Sequence, residues 1–271
     1  MSIPTTKLTP GEELRQILQE LLPNDRPDHS AFGSRLDLFF IADGDLSELI
    51  YQSCINYMLR RLVTTAEFLR RKYDVSDYSS GYYIVQIRKY LRDYTRLPNN
   101  KIELVLVLLL ACIEERSKVP SETLRRQIRN RSRDRNLGCY ICGRTMDYST
   151  EGQHDSFELE HKWPRSLGGN HMEDNLAAAC HKCNHEKSEF IDASDFHYEE
   201  ICLVSEQTSS SFQAGFPWSY RVALWAKSQY QCCICGKQAS EVGQLQFHRR
   251  DPNDSWHFLN VVVYCDRHAP R

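Results

Sequence analysis

The sequence predicts an α+β protein in which an all-helical N-terminal domain precedes two small modules, each organised by its own cysteines. Two observations predict this. Apolar side chains recur at helical spacing within the first 118 positions, and a Cys-x2-Cys-Gly turn occurs twice in the second half. These turns read Cys139-Tyr140-Ile141-Cys142-Gly143 and Cys232-Cys233-Ile234-Cys235-Gly236.

Composition sets the outer bounds. The 271 residues suffice for two domains, and 41% hydrophobic with 26% charged residues is ordinary for a soluble globular protein. A net charge of -2 offers no general attraction to nucleic acid, so any basic surface has to be local. Met1 to Leu14 lacks the apolar core that a signal peptide needs. The longest apolar run, Leu104 to Ile113, is ten residues, about half of what a bilayer requires. The expected location is cytoplasmic, with no membrane partner. Thiols stay reduced there, which favours metal binding over disulfides.

Residues 1–118 read as the helical domain, of unassigned role. Leu46 to Tyr73 sets Leu49, Ile50, Ile55, Met58, Leu59, Leu62 and Phe68 at helix-compatible spacing, with arginines largely between them. A second helix covers Tyr82 to Tyr94, with Ile84, Ile87, Leu91 and Tyr94 on one face. Pro98-Asn99-Asn100 breaks the chain before a third, Lys101 to Arg116. Residues 119–204 form the first cysteine module, 205–216 a serine-rich linker, and 217–271 the second module. The first module is entered by a basic helix. Ser121 is its N-cap, and Arg125, Arg126, Arg129, Arg131, Arg133 and Arg135 face only Glu122 and Asp134. So many arginines must wrap the helix, and they are expected to contact DNA phosphates.

Cys139 and Cys142, with Cys180 and Cys183 after a long insert, supply four thiolates in two Cys-x2-Cys pairs, the donor set of a structural zinc site. The insert is not neutral filler. It reads Phe157-Glu158-Leu159-Glu160-His161-Lys162-Trp163-Pro164-Arg165-Ser166-Leu167-Gly168-Gly169, then Glu173-Asp174-Asn175-Leu176, and the second pair runs on into Asn184-His185-Glu186-Lys187. From Cys139 to Lys187 this resembles the HNH endonucleases, also called ββα-metal or His-Me finger nucleases. Their pattern is an acid and His ending a strand, a Pro, a Gly-Gly turn, Asn-Leu, and Cys-x2-Cys followed by Asn or His and a Lys.

The resemblance implies a ββα-metal nuclease module hydrolysing DNA phosphodiesters. In it His161 is the general base and Asn175 braces the His-bearing loop. Glu160 and Asn184 hold magnesium or manganese, while the four-cysteine zinc is structural. Oxygen donors suit such hard ions better than they suit zinc. The family's commoner acid beside the His is Asp, so Glu160 shifts the ion by one methylene. His185 is an alternative to Asn184 as ligand. His154, His171 and His181 are expected as surface or loop residues.

The second module reads as a degenerate copy, a zinc-binding ββα-like unit with Cys232, Cys235, Cys265 and His268 as ligands and Cys233 as a possible substitute. Asn260 precedes Cys265 by the five residues that separate Asn175 from Cys180. Phe247-His248 aligns loosely with Glu160-His161, and Ala269 stands at the Asn184 position, so this copy is expected to be catalytically inactive, with Arg249 and Arg250 available to DNA. Cys54, Cys112 and Cys202 are expected as buried thiols. From Cys139 to Glu200 there are thirteen acidic and five basic residues. Such a surface repels DNA, which points to help from the arginine helix or from an activating protein partner. The resulting reading is an HNH endonuclease, with an effector role in defence against foreign DNA as one setting. Its alternative is a non-catalytic zinc-ribbon module that binds nucleic acid or protein.

Overall fold

The structure, a computed structural model, describes residues 7–23, 46–74, 81–203 and 215–270. Most of the expected linker, residues 205–214, lies outside them. Contacts divide the chain into two units. Met1–Asn24, Cys54–Val119 and His161–Asn175 make the first, and Asp25–Ser53, Pro120–Glu160 and Leu176–Arg271 the second.

The first unit is helical: α1 (Pro10–Leu21), most of α2 (Leu46–Tyr73), α3 (Tyr82–Tyr94) and α4 (Asn99–Ser117). The sequence expectations omit α1, although its signal is present. Thr9 and Glu12 close a capping box, the Thr9 hydroxyl accepting from Glu12 N at 3.2 Å and Thr9 N donating to the Glu12 carboxylate at 2.7 Å. Pro10 fills the first turn, where its missing N–H costs nothing. Helices α2 and α3 have the expected bounds. Helix α4 starts at Asn99, earlier than expected, because Pro98 itself occupies the N-cap.

Leu14, Ile55, Leu59, Val63, Ile87, Leu91, Val105 and Leu109 are buried on these helices. Of the other residues expected on the apolar faces, Leu49, Ile50, Met58 and Ile84 are half-buried, and two are exposed. Phe68 is 59% and Tyr94 72% exposed, because each lies at the edge of its apolar stripe. Phe68 lies under the Lys72 ammonium, and Tyr94 stacks on Tyr90 at 5.6 Å.

This unit also takes in the insert from His161 to Asn175. Pro164 opens a single 3-10 turn, Arg165–Leu167, which packs on α4, and an Arg165 Nη donates to Lys118 O at 3.3 Å. Trp163 Nε1 donates to Leu167 O at 2.9 Å. The Gly-Gly turn is required sterically. Gly168 has φ +87°, and a Cβ there would come within 2.5 Å of Cys112 Sγ; one on Gly169 would come within 2.0 Å of Trp163 O.

The second unit starts with α5 (Glu122–Asp134), whose N-cap Ser121 hydroxyl accepts from Leu124 N as expected. Strand β1 (Phe157–His161) pairs with β2 (Leu176–Cys180), which runs into α6 (His181–Lys187). Then come β3 (Cys202–Leu203), α7 (Trp218–Lys227), the short α8 (Ala239–Val242), β4 (Gln246–Arg249), β5 (Trp256–His257) and β6 (Val261–Tyr264). β4 pairs antiparallel with β6, and β3 with β5.

Both cysteine modules share one hydrophobic core, which joins Ile141, Met146 and Ala179 to Trp225, Phe247 and Val263. Trp225 stacks on Phe247 at 5.3 Å, and Tyr140 meets Tyr230 edge-on at 5.2 Å. Cys54 and Cys202 are exposed, contrary to expectation, while Cys112 is buried. Burial pushes the Cys112 thiol up to about 12.

Gly168→Ala combines a left-handed φ with the clash against Cys112. It should lower stability by more than ~1 kcal/mol, read as a drop in thermal midpoint, whereas Gly152→Ala, which meets nothing within 4 Å, should cost less.

Candidate active site and zinc centres

The first zinc centre follows from the turn chemistry. Cys139 N donates to Arg144 O and Gly143 N to Cys139 O, both at 2.8 Å, with Gly143 at φ +74°. This turn aims Cys139 and Cys142 at the same point, and Cys180 at the end of β2 and Cys183 one turn into α6 meet them there. The four sulfurs lie within 4.8 Å of one another, with Cys142 and Cys180 at 3.9 Å. Tetrahedral bonds of ~2.3 Å put sulfurs ~3.8 Å apart, close to the Cys142–Cys180 separation, so the group could hold zinc. Hydrogen bonds from the other three sulfurs hold the Cys180 thiol far below its ordinary range, while Cys142 and Cys183 are pushed up. A divalent ion would replace these shared protons with four equal bonds.

The residues expected to be catalytic fall in both units, His161 and Asn175 in the first, Glu160 and Asn184 in the second. His161 ends β1. Asn175 is buried and clamps the loop between them: its Oδ1 accepts from Trp163 N at 2.7 Å, and its Nδ2 donates to Trp163 O at 3.2 Å and to Asn170 O at 2.9 Å. The expected bracing role therefore has a geometry. Glu160 is 7% exposed and accepts from the Lys187 ammonium at 2.7 Å, Lys187 being 1% exposed. Burial raises Tyr140 and Tyr230 well above the ordinary phenol range, and the Glu160 charge adds to this for both. Breaking such a buried ion pair from one side costs about 3–5 kcal/mol.

Asn184 meets a different carboxylate. Its Nδ2 donates to Glu158, which also meets His181 Nδ1 at 2.6 Å. Glu158 lies on the Glu160 face of β1, since strand side chains alternate. From the sequence, Glu158 has no assigned role, Lys187 enters only as the Lys of the family pattern, and His181 is expected as a surface or loop residue. The even spacing 158–160 and the Lys after Asn184 were the available signals. His171 is likewise no free loop residue: its Nδ1 lies 2.9 Å from His161 Nε2.

A cleft of about 650 Å³ runs between α5 and the β1 edge, lined by Arg125, Arg126, Arg129, Tyr148, Phe157 and Glu158 among others. Three of the six expected arginines thus line it, together with the carboxylates of Glu122, Glu151 and Glu158. Arg131, Arg133 and Arg135 do not line it, and Arg133 pairs with Asp134 at 3.3 Å. Arg129 also donates to Tyr148 O.

The C-terminal module repeats the cysteine turn, the strand pairing and the Asn clamp, without a helix corresponding to α6 among the described residues. Cys232 N donates to Lys237 O at 3.0 Å and Gly236 N to Cys232 O at 2.9 Å, with Gly236 at φ +65°. Tyr140 N→Ala178 O has its counterpart in Cys233 N→Val263 O. Asn260 accepts from Asp251 N at 2.8 Å and donates to Asp251 O at 3.0 Å and Ser255 O at 2.8 Å, as Asn175 does with Trp163 and Asn170.

Lys162 N→Asn175 O likewise matches Arg250 N→Asn260 O. These pairs fix the register and correct the sequence alignment by one residue. Arg249, not His248, stands at the position of His161, and His248 at that of Glu160. Arg249 is spoken for, its guanidinium 5.2 Å from the Trp256 ring and donating to Asp254 O at 2.7 Å. Cys232, Cys235, Cys265 and His268 form the second group able to hold a metal, with His268 Nδ1 3.2 Å from Cys265 Sγ; Cys233 is outside it.

The first cysteine segment is thus a two-strand and helix unit on four cysteines able to hold a metal, with a strand-end His and a clamping Asn. Residues 139–195 match the HNH endonuclease family model, and this segment is assigned to the HNH family on that match. Such a domain implies a nucleic-acid substrate and use of a divalent metal. No curated protein and no solved structure matches the chain. No described helix is long and apolar enough to cross a membrane.

The purified chain should carry two zinc ions by elemental analysis. Cys183→Ser should remove one and Cys265→Ser the other; a wild-type stoichiometry of one would mean that only one of the two centres is loaded.

Proposed function

We propose that the chain is a metal-dependent DNA endonuclease in which His161 is the general base and the oxygen donors beside α6 hold magnesium or manganese. One observation carries the reading. Arg125, Arg126 and Arg129 of α5 line the same cleft as Glu158, whose carboxylate accepts from Asn184 Nδ2, so phosphate-neutralising cations share a cleft with a carboxylate suited to a hard ion.

The donor set fits a hard ion. Asn184 offers an amide oxygen, and Glu160 and Glu158 offer carboxylates. A carboxylate has two oxygens and several lone pairs, so Glu160 can serve an ion while Lys187 keeps it charged. When bound, the ion supplies positive charge to the phosphate and the leaving oxygen. His161 takes the proton of the attacking water, and a neutral imidazole is suited to this near neutral pH. Asn175 fixes the loop that carries it. By family analogy the products are a 5′-phosphate and a 3′-hydroxyl.

In the second module the corresponding positions are His248, Arg249 and Ala269; Arg249 stands where the base would be and Ala269 offers no oxygen to an ion. Its role is to complete the shared core. A setting in defence against foreign DNA, with an activating protein partner, is part of the proposal and rests on the acidic surroundings of the site.

With supercoiled plasmid and magnesium or manganese, the chain should nick or cut. His161→Ala and EDTA should each abolish this, and His248→Ala should retain it. No cleavage by folded, zinc-loaded protein would favour the binding-module reading or a missing activator, which co-purification with an activating protein would separate. Replacing Arg125, Arg126 and Arg129 together by Ala should reduce the slope of log affinity against log salt by about 3. Replacing Arg131, Arg133 and Arg135 should change it less.

A further inference from the structure

The acidic stretch from Cys139 to Glu200 has five basic residues: Arg144, Lys162, Arg165, Lys182 and Lys187. The second unit gathers two of them, with Arg221, on one aromatic ring. The Arg144 guanidinium lies 4.6 Å from the centre of the Trp218 ring, the Lys182 ammonium 5.0 Å and the Arg221 guanidinium 5.1 Å. The His154 ring meets it edge-on at 5.4 Å. Local structure explains the meeting. Arg144 follows the first cysteine turn, Lys182 lies in the first turn of α6, and Trp218 opens α7, which packs on α6. Trp218 is itself rooted on the fully buried Trp225, 5.6 Å away.

The three charges stand within about 10 Å of one another, and all three residues are half-buried. Like charges so placed repel, and an aromatic ring offsets only part of that repulsion. Among the described residues no carboxylate forms an ion pair with Arg144 or Lys182. Burial and the Arg144 charge both lower Arg221 from the ordinary guanidinium value. An anion at this cluster would relieve the repulsion.

Guanidinium and ammonium groups together suit the oxygens of a phosphodiester. The cluster also adjoins the α5 cleft without sharing its lining. Gly152 lines that cleft, and His154, two residues on, meets Trp218. Glu158 lines it too, and its partner His181 is the residue before Lys182. We propose that Arg144, Lys182 and Arg221, gathered on Trp218, are a second phosphate-binding site, which takes the nucleic-acid strand where it leaves the α5 cleft. The proposal rests on the nucleic-acid reading of the module. The site supplies affinity and placement, with no bond made or broken there. Trp218 is its floor: by holding three long side chains beforehand, it spares part of the entropy of ordering them on binding.

Fluorescence anisotropy of a labelled DNA duplex with the zinc-loaded full chain, over a series of salt concentrations without magnesium, counts the phosphates neutralised. Replacing Arg144, Lys182 and Arg221 together by Gln should flatten the slope of log affinity against log salt by about 3. The double variant R144Q/K182Q leaves the Arg221 Nε donation to Phe216 O at 2.9 Å in place, and should flatten it by about 2. Replacing the exposed Lys89, Arg92 and Arg96 by Gln should change it by less than about 1. The wild type gives a readout that needs no substitution: the duplex should slow reductive methylation of Lys182. An unchanged slope in a zinc-retaining variant, or Lys182 methylated equally fast with and without DNA, overturns the proposal while the nuclease reading stands. Weakened binding of a polyglutamate peptide, with the DNA slope unchanged, would assign the cluster to an acidic protein and overturns it as well. If the wild type binds no duplex at any salt concentration, the nucleic-acid reading fails and the second site fails with it.

Discussion

Asn175 makes three hydrogen bonds, all buried, and most of the candidate site hangs from them. The loop it closes contains no strand and only single helical turns, so the backbone has little other means of satisfying its polar groups. An amide side chain is suited to this because it both donates and accepts, and it can seize the N–H and C=O of one residue together. A loop tied at Trp163 and Asn170 can hold His161 and His171 at fixed orientations. Without the tie it would keep the loss of contacts and regain the entropy of a chain free to move. The repetition of the same three bonds by Asn260 shows that the clamp is a property of the fold, since the second copy has kept it while carrying Arg249 where a base would be.

The four sulfurs of Cys139, Cys142, Cys180 and Cys183 supply the second constraint. They fix the start of α6 against the first cysteine turn, and so place Asn184 and Lys187 over the face of β1 that carries Glu158 and Glu160. Here the physics is electrostatic. Glu160 is buried because Lys187 is buried with it, and neither would be stable alone. Glu158, nearer the solvent, is left to Asn184, His181 and the cleft. The two carboxylates of one strand face thus differ in their partners because of depth.

The helical region and the C-terminal module act on the site indirectly. In the first unit α1 and α4 receive the 3-10 turn and the Gly-Gly bend, and glycine is obligatory because Cys112 and the Trp163 carbonyl fill the space a side chain would need. In the second unit the inactive copy contributes Trp225, Phe247 and Val263 to the core that also buries the first zinc turn. A two-stranded unit with a short helix has too little apolar area to stand by itself, and the duplicated module supplies the rest.

The sequence by itself determined the local chemistry. Cys-x2-Cys-Gly turns, a strand ending in Glu160-His161, the Asn–Leu step and the Ser121 cap of α5 are patterns of neighbouring residues, and short-range geometry is enough to read them. Even α1, omitted from the expectations, has its capping box written in Thr9 and Glu12. The tertiary structure decided what depends on partners distant in the chain. Spacing does not reveal that Glu160 lies on Lys187 while Glu158 takes Asn184, because both carboxylates share one strand face and only depth separates them. Nor does it reveal that His171 turns to His161, that three of six arginines reach the cleft, or that the copy is offset by one residue. A one-residue shift in a strand exchanges its two faces, and only the hydrogen bonds between strands record which face was chosen.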